Sequence, residues 1–176
     1  NGLLTADNKP AFPNAEVLVP AVEWKFWMDD GEMSRASGDR MVGLFKNNRR
    51  VFETGLGKKV TPYEWGKDVA PGMLAVESIG HTPGHTSYVL SSGADKVFIQ
   101  SDVTNDPDLF ARNPGWHLMF DQDPVQAETT RRKIYDMISA ERMRVQGFHY
   151  PFPGLANLEK DGSGYRWIPA PWNPVI

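Results

Sequence analysis

Two of the chain's four histidines, His81 and His85, lie in the run GHTPGHTS. Pro83 and Gly84 stand between them and exclude a regular helix, so this run is predicted to be a loop that enters a strand over residues 87–90. A histidine at such a junction can direct one ring nitrogen into a cleft. The same pattern suits a turn whose imidazoles bond nearby carbonyl groups, and chemistry alone leaves both interpretations open.

Two further polar residues follow apolar strands. Asp102 comes after the strand predicted over 97–100, and His149 ends the strand predicted over 143–148. A carboxylate at the end of a buried strand lies at the sheet edge, where α/β folds bind ligands. Alternatively, Asp102 caps the turn that follows it, and a lone histidine such as His149 is more often packed in a core.

Three residues of this kind at strand ends favour a shared site over three unrelated ones. His85, Asp102 and His149 offer imidazole nitrogen and carboxylate oxygen, which are the ligands that zinc and similar first-row metals bind. The sequence therefore predicts that these three side chains lie together at one edge of a sheet, close enough to share a metal centre.

The elements that must position these residues form an α/β pattern. A helix is predicted over 124–140, with Pro124 at its start and a stripe of buried apolar residues. The other predicted elements are strands over 15–19, 73–79, 87–90, 97–100 and 143–148 and helices over 21–30 and 37–52, the first of these helices ending at Gly31. Strands and helices in this order predict layers of helix on sheet, without internal repeats.

Composition narrows the classes of function. The chain has 176 residues, 40% of them hydrophobic, and 19 Lys and Arg against 22 Asp and Glu, which fits one globular domain over 1–176. A net charge of −3 gives no basic surface for nucleic acid, and no apolar run approaches the ~18 residues that span a bilayer. The absence of cysteine excludes disulfides, zinc ribbons and thiol catalysis but leaves cytoplasmic, periplasmic and secreted locations open.

The order of the motifs resembles the C-terminal half of the metallo-β-lactamase superfamily. The resemblance consists of HTPGHT, a strand followed by Ser-Asp, and then a helix and a strand that ends in His. The later elements PFPG and GYRW are similar to the branch that contains methyl parathion hydrolase and related lactonase-like hydrolases. The resemblance implies an α/β fold of the αββα sandwich type, of which this chain looks like the C-terminal portion.

The same resemblance implies a site and a reaction. It implies two divalent metal ions, zinc in the first place with manganese, iron or cobalt as alternatives, and a bridging hydroxide that attacks a small-molecule ester, lactone or phosphotriester. His85 would bind the first metal, Asp102 would bridge both metals and act as the catalytic residue, and His149 would bind the second. His81 is interpreted as a residue that positions a ligand or supports the fold, and His117 as structural.

One part of the family pattern is missing. The family's His-x-His-x-Asp-His motif does not occur, and the opening residues NGLL resemble the stretch that directly follows it. We therefore expect an N-terminally truncated metallo-β-lactamase-like domain that is inactive in isolation. The alternative is a non-catalytic half-domain that associates with a partner supplying the missing half, or with a second copy as a homodimer. Sulfur dioxygenases and flavin-linked reductases share the fold, but PFPG and GYRW argue against both.

Overall fold

The structure is a computed structural model that describes residues 2–57 and 59–172. Asn1, the first residue of the NGLL stretch, lies outside the described residues. The chain divides into two compact units, an N-terminal unit over residues 1–64 and a C-terminal unit over residues 65–176. In the described part of the chain, no helix combines the length and apolar character that crossing a membrane requires.

The N-terminal unit is mainly helical. Its aromatic core includes Trp27 and Phe45, whose ring centroids lie 4.7 Å apart. The predicted helix end at Gly31 is wrong, because the Asp29 side chain accepts the backbone N–H of Glu32 and thereby starts a second helix. The elements are β1 (Leu18–Pro20), α1 (Ala21–Met28), α2 (Asp30–Arg35), α3 (Gly38–Arg49), a π-helical turn (Arg50–Gly55) and β2 (Thr61–Tyr63), which pairs in parallel with β1.

The C-terminal unit contains a mixed seven-stranded sheet among its described residues. The strands follow one another across the sheet in chain order, and the β6–β7 pair is parallel while the other neighbours are antiparallel. The strands are β3 (Asp68–Ala70), β4 (Met73–Glu77), β5 (Thr86–Ser92), β6 (Asp95–Ile99), β7 (Arg144–Gln146), β8 (Leu155–Asp161) and β9 (Gly164–Pro169). Two helices, α4 (Pro107–Arg112) and α5 (Pro124–Glu141), lie in the crossover between β6 and β7. The predicted α/β class is confirmed.

Helix α5 is the best-predicted element. The Asp123 side chain accepts the N–H of Gln126, Pro124 occupies the first helical position, and Arg142 ends the helix in a left-handed conformation. The buried face of α5 packs on the sheet in a core that includes Ile134, Tyr135, Ile138, Phe98 and Val145. Burial of each large apolar side chain contributes roughly 1.5–3 kcal/mol, so this face fixes the helix on the sheet.

Three strands and one helix of this unit are absent from the sequence prediction. Helix α4 has only six residues, which is too short for a helical period to show. Strands β8 and β9 form a hairpin closed by Asp161 and Gly164, and their outer positions carry the charged residues of an edge. The sheet therefore continues to Pro169, beyond the last strand predicted over 143–148.

Gly80 brings the loop that carries His81 against the start of α5. Its φ is +129°, and an added Cβ would lie 2.3 Å from the backbone nitrogen of Ala127. Two backbone hydrogen bonds hold the same approach: Asp123 N–H donates to the Gly80 carbonyl (2.9 Å), and Gln122 N–H donates to the His81 carbonyl (3.2 Å). A side chain at position 80 would therefore push the loop away from the helix.

We predict that Gly80→Ala lowers the free energy of unfolding by at least about 3 kcal/mol, because it adds a backbone clash to an unfavourable φ. Urea denaturation of the whole chain measures the change. The matched control is Gly93→Ala, whose φ is also positive (+59°) but whose Cβ would meet nothing within 4 Å. Its cost should be about 1–2 kcal/mol, and equal losses at the two positions would contradict the close approach.

Candidate functional site

The sheet topology brings three of the predicted site residues to one edge. His85 directly precedes β5, while Asp102 follows β6 and His149 follows β7 by three residues each. Strand β5 runs antiparallel to β6, and β6 runs parallel to β7. The start of β5 and the ends of β6 and β7 therefore meet at the same edge, as the sequence predicts.

Asp102 is the centre of this edge. His149 Nε2 lies 3.1 Å from Asp102 Oδ1, and the Asp102 backbone N–H donates to His85 Nε2 at 3.0 Å. The Asp102 carboxylate is partly exposed and His149 is exposed, whereas His85 is buried. The carboxylate thus faces solvent, while His85 holds the Asp102 backbone N–H and His149 holds one carboxylate oxygen.

The ring of His85 is held at both nitrogens. Its Nδ1 lies 2.8 Å from the Ser78 carbonyl oxygen and 2.8 Å from Ser78 Oγ. Because Nε2 accepts from Asp102, the proton of the neutral ring belongs on Nδ1, where it is donated to Ser78. In this arrangement the lone pair of His85 Nε2 is used by the protein backbone.

His81 lies between two carboxylates. Its Nδ1 is 2.9 Å from Asp121 Oδ1, and its Nε2 is 3.7 Å from Asp102 Oδ2. Asp121 is the site residue that sequence reasoning missed. It lies in a loop without periodicity, two residues before the carboxylate that caps α5, and nothing in the sequence distinguishes the two aspartates.

Arg131 fixes the loops around this edge. Its Nε donates to the Val103 carbonyl at 3.0 Å, and its Nη1 donates to the carbonyls of Pro114 (2.8 Å) and Trp116 (2.9 Å). Its Nη2 lies 3.6 Å from Asp121 Oδ2. The side chain is only 2% exposed, and this burial lowers the pKa of Arg131. An arginine keeps its charge even so, and its donors tie α5 to the segments that carry Asp102 and Asp121.

His117 lies apart from this arrangement. It is exposed, and its Nε2 is 2.9 Å from Glu128 Oε2 on α5. His117 and Arg132 both bond Glu128 and lower the pKa of its carboxyl group. The contact is that of a surface pair, and it agrees with the interpretation of His117 as a structural residue.

The donors at the edge have the chemistry of metal ligands but do not close a metal site. Imidazole and carboxylate groups suit zinc, manganese, iron or cobalt. However, among the residues that the structure describes, no three His, Cys, Asp or Glu side chains are grouped so that they could hold a metal ion. His85 Nε2 is also occupied by the Asp102 N–H. The described residues alone therefore do not form a complete centre.

Comparison with known proteins gives structural neighbours only. No protein-family model matches the chain, and no curated protein matches it either. Among solved structures, the hydrolase AbOPH of the β-lactamase superfamily superposes with a TM-score of 0.89 at 25% identity over 98% of this chain. The dizinc quorum-quenching lactonase AidC, in complex with a product, superposes with a TM-score of 0.88 at 24% identity over 98% of this chain.

The chain has a metallo-β-lactamase-type fold. A probable metal-dependent hydrolase from Staphylococcus aureus has the same fold, with a TM-score of 0.67 at 22% identity over 95% of this chain and 56% of its own. The chain spans 60% of the length of AbOPH and of AidC. The metallo-β-lactamase-type fold confirms the predicted class, while the lactonase-like branch and the status of a C-terminal half stay predictions.

We predict that Arg131→Lys lowers the free energy of unfolding by about 2–4 kcal/mol. Lysine keeps the charge, but it lacks the planar guanidinium whose separate nitrogens donate to the three carbonyls. Buried acceptors are therefore left without partners. Thermal and urea denaturation measure the loss. Arg132→Lys is the matched control, because Arg132 is exposed and pairs with Glu128 one turn away. Its change should stay within about 0.5 kcal/mol, and a similar change in both variants would refute the role assigned to Arg131.

Proposed function

We propose that this chain supplies part of the centre of a metal-dependent hydrolase that cleaves an ester, a lactone or a phosphotriester. One observation carries the proposal: imidazoles from separate loops surround Asp102 at one edge of a metallo-β-lactamase-type sheet. His149 and His81 lie beside its carboxylate, and His85 accepts its backbone N–H. The likeness to AbOPH, which is named as a hydrolase, and to AidC, which is named as a lactonase, supports the same function.

In this proposal the residues at the edge have distinct roles. His85 would hold one divalent cation, through the Nε2 that accepts the Asp102 N–H in this structure, His149 would hold a second, and Asp102 would contribute its carboxylate to both. Zinc is the first expectation, and manganese, iron and cobalt are alternatives. Each cation needs about four donors, so the remaining ligands come from outside the described residues. Bound divalent cations supply the Lewis acidity that hydrolysis of such bonds needs.

The chain's own contribution is to hold one carboxylate in a fixed orientation. With the imidazoles free of metal, the bond from the Asp102 N–H to His85 fixes the backbone and His149 fixes Oδ1. The bond from Arg131 to the carbonyl of the adjacent Val103 uses no proposed ligand. The partly exposed carboxylate is then preorganised to accept a proton from the attacking water, which is why we assign Asp102 as the catalytic residue.

Exposed aromatic side chains beside His149 suit an apolar part of a small-molecule substrate. Phe148 and Phe152 are exposed, and the Phe152 ring packs edge-on against Trp172 with 4.8 Å between centroids. AidC and an N-acyl homoserine lactone hydrolase have been solved with N-hexanoyl-L-homoserine, a product with an acyl chain. We propose that these aromatic side chains contact the apolar portion of the substrate.

A second candidate is a non-catalytic half-domain that works by association. The observation behind it is that the His, Cys, Asp and Glu side chains of the described residues do not form a closed metal site. The partner would be a polypeptide that supplies the missing half or a second copy of this chain. The mass of the protein in solution separates these arrangements from a 19.8 kDa monomer.

The test uses the natural polypeptide, including any sequence that flanks these 176 residues. The protein is loaded with zinc, manganese or cobalt. Lactones, aryl esters and phosphotriesters are assayed together with metal content. We predict that Asp102→Ala lowers kcat/KM at least about 100-fold, and that His81→Ala costs about 10–100-fold because it acts through Asp102. His117→Ala should change the rate less than about twofold.

Three results would refute this function. Hydrolysis that persists after complete removal of metal would exclude a metal-dependent reaction. Equal losses in Asp102→Ala and His117→Ala, with metal content unchanged in both, would exclude the assignment of the edge around Asp102. No hydrolysis of any substrate by metal-loaded protein would instead favour the half-domain.

A further inference from the structure

The carboxylate of Asp121 is buried, although it does not cap the helix that follows it. Its side chain is 2% exposed, and the cap of α5 is provided by Asp123. A buried carboxylate is costly unless it is hydrogen-bonded or paired with a cation. The contacts that compensate Asp121 are the hydrogen bond to His81 and the nearby guanidinium of Arg131.

The bond between Asp121 and His81 determines which nitrogen of the ring carries the proton. An ionised carboxylate only accepts hydrogen bonds, so His81 Nδ1, at 2.9 Å from Asp121 Oδ1, is the donor. In the neutral ring this leaves Nε2 as an acceptor. That nitrogen faces Asp102 Oδ2 at 3.7 Å.

Neighbouring backbone and side-chain groups hold Asp121 and His81 in this arrangement. The Gln122 and Asp123 N–H groups donate to the carbonyls of His81 and Gly80, which joins the two loops directly beside the pair. Arg131 Nη2 lies 3.6 Å from the other oxygen of Asp121. The exposed pair of His117 and Glu128 has a similar bond length, but it forms on the surface of α5.

We infer that Asp121 is a positioning residue that fixes the tautomer of His81, so that His81 Nε2 faces the Asp102 carboxylate. His81 thereby becomes a participant in the site. The two oxygens of Asp102 are then flanked by two imidazole nitrogens, His149 Nε2 at Oδ1 and His81 Nε2 at Oδ2. A hydrogen-bond donor that reached both His81 Nε2 and Asp102 Oδ2 would satisfy both acceptors.

The tautomer is measured directly by two-bond ¹H–¹⁵N correlation spectra of the ¹⁵N-labelled chain, recorded with the imidazoles neutral. Four histidines give four patterns, which single His→Asn variants assign. We expect the Nδ1–H form for His81 in the unchanged chain. Asp121→Ala should convert it to the Nε2–H form or a mixture, because free imidazole lacks this bias, and Asp121→Asn should weaken the preference.

Glu128→Gln is the matched control, because it removes the carboxylate from the other histidine pair. It should alter the His117 pattern and leave that of His81 unchanged. An Nε2–H tautomer for His81 in the unchanged chain would overturn the inference, and so would an unchanged pattern in Asp121→Ala. If Asp121→Ala does not fold, the unchanged chain and Asp121→Asn decide the result.

The catalytic consequence rests on the proposed function and is tested separately. In the hydrolysis assay, Asp121→Ala should lower kcat/KM about 10-fold, and it should add no further loss in a chain that already carries His81→Ala, because it acts through that ring. Additive losses would contradict a positioning role. A chain without hydrolytic activity would remove the proposed function, while the tautomer measurement would still confirm or overturn the role of Asp121.

Discussion

The buried guanidinium of Arg131 is the interaction on which the site edge depends. It projects from α5, whose apolar face is anchored on the sheet, and donates to three carbonyls in two loop segments that have no regular structure of their own. One of those segments begins next to Asp102, and the guanidinium also neutralises Asp121. The hydrogen bonds of this one cation thus hold irregular backbone segments in fixed positions beside the site. Burial of apolar surface alone does not achieve this, because the hydrophobic effect is not directional.

In this sheet, the residues that stabilise the fold and the residues with reactive side chains occupy different parts of the strands. Apolar residues such as Phe98 and Val145 occupy the middle of the strands and pack on α5, and the reactive groups begin where the strands end. His85 is buried and immobilised by Ser78 and Asp102, whereas His149 is exposed. The site is therefore rigid on the side of β5 and open on the side of β7.

The sequence predicted what strand ends and the start of a long amphipathic helix determine. His85, Asp102 and His149 could be grouped because each adjoins an apolar strand, and α5 could be predicted from its proline and its periodic apolar face. Asp121 could not, because its role arises from a loop that meets another loop 40 residues away. Helix α2, which contains Gly31, and the β8–β9 hairpin were missed for a related reason: a side-chain cap and an edge pairing leave little trace in hydrophobic periodicity.

The contacts of the site join residues that are distant in the chain. Asp102 meets His85 across 17 residues and His149 across 47, and His81 meets Asp121 across 40. Contacts of this range require the closure of long loops, which costs entropy, and the pairing of β6 with β7 beside them spans as many residues. A nascent or partly unfolded C-terminal unit presents its histidines and aspartates separately, and any ligand that requires them together stabilises the completed sheet over every incomplete form.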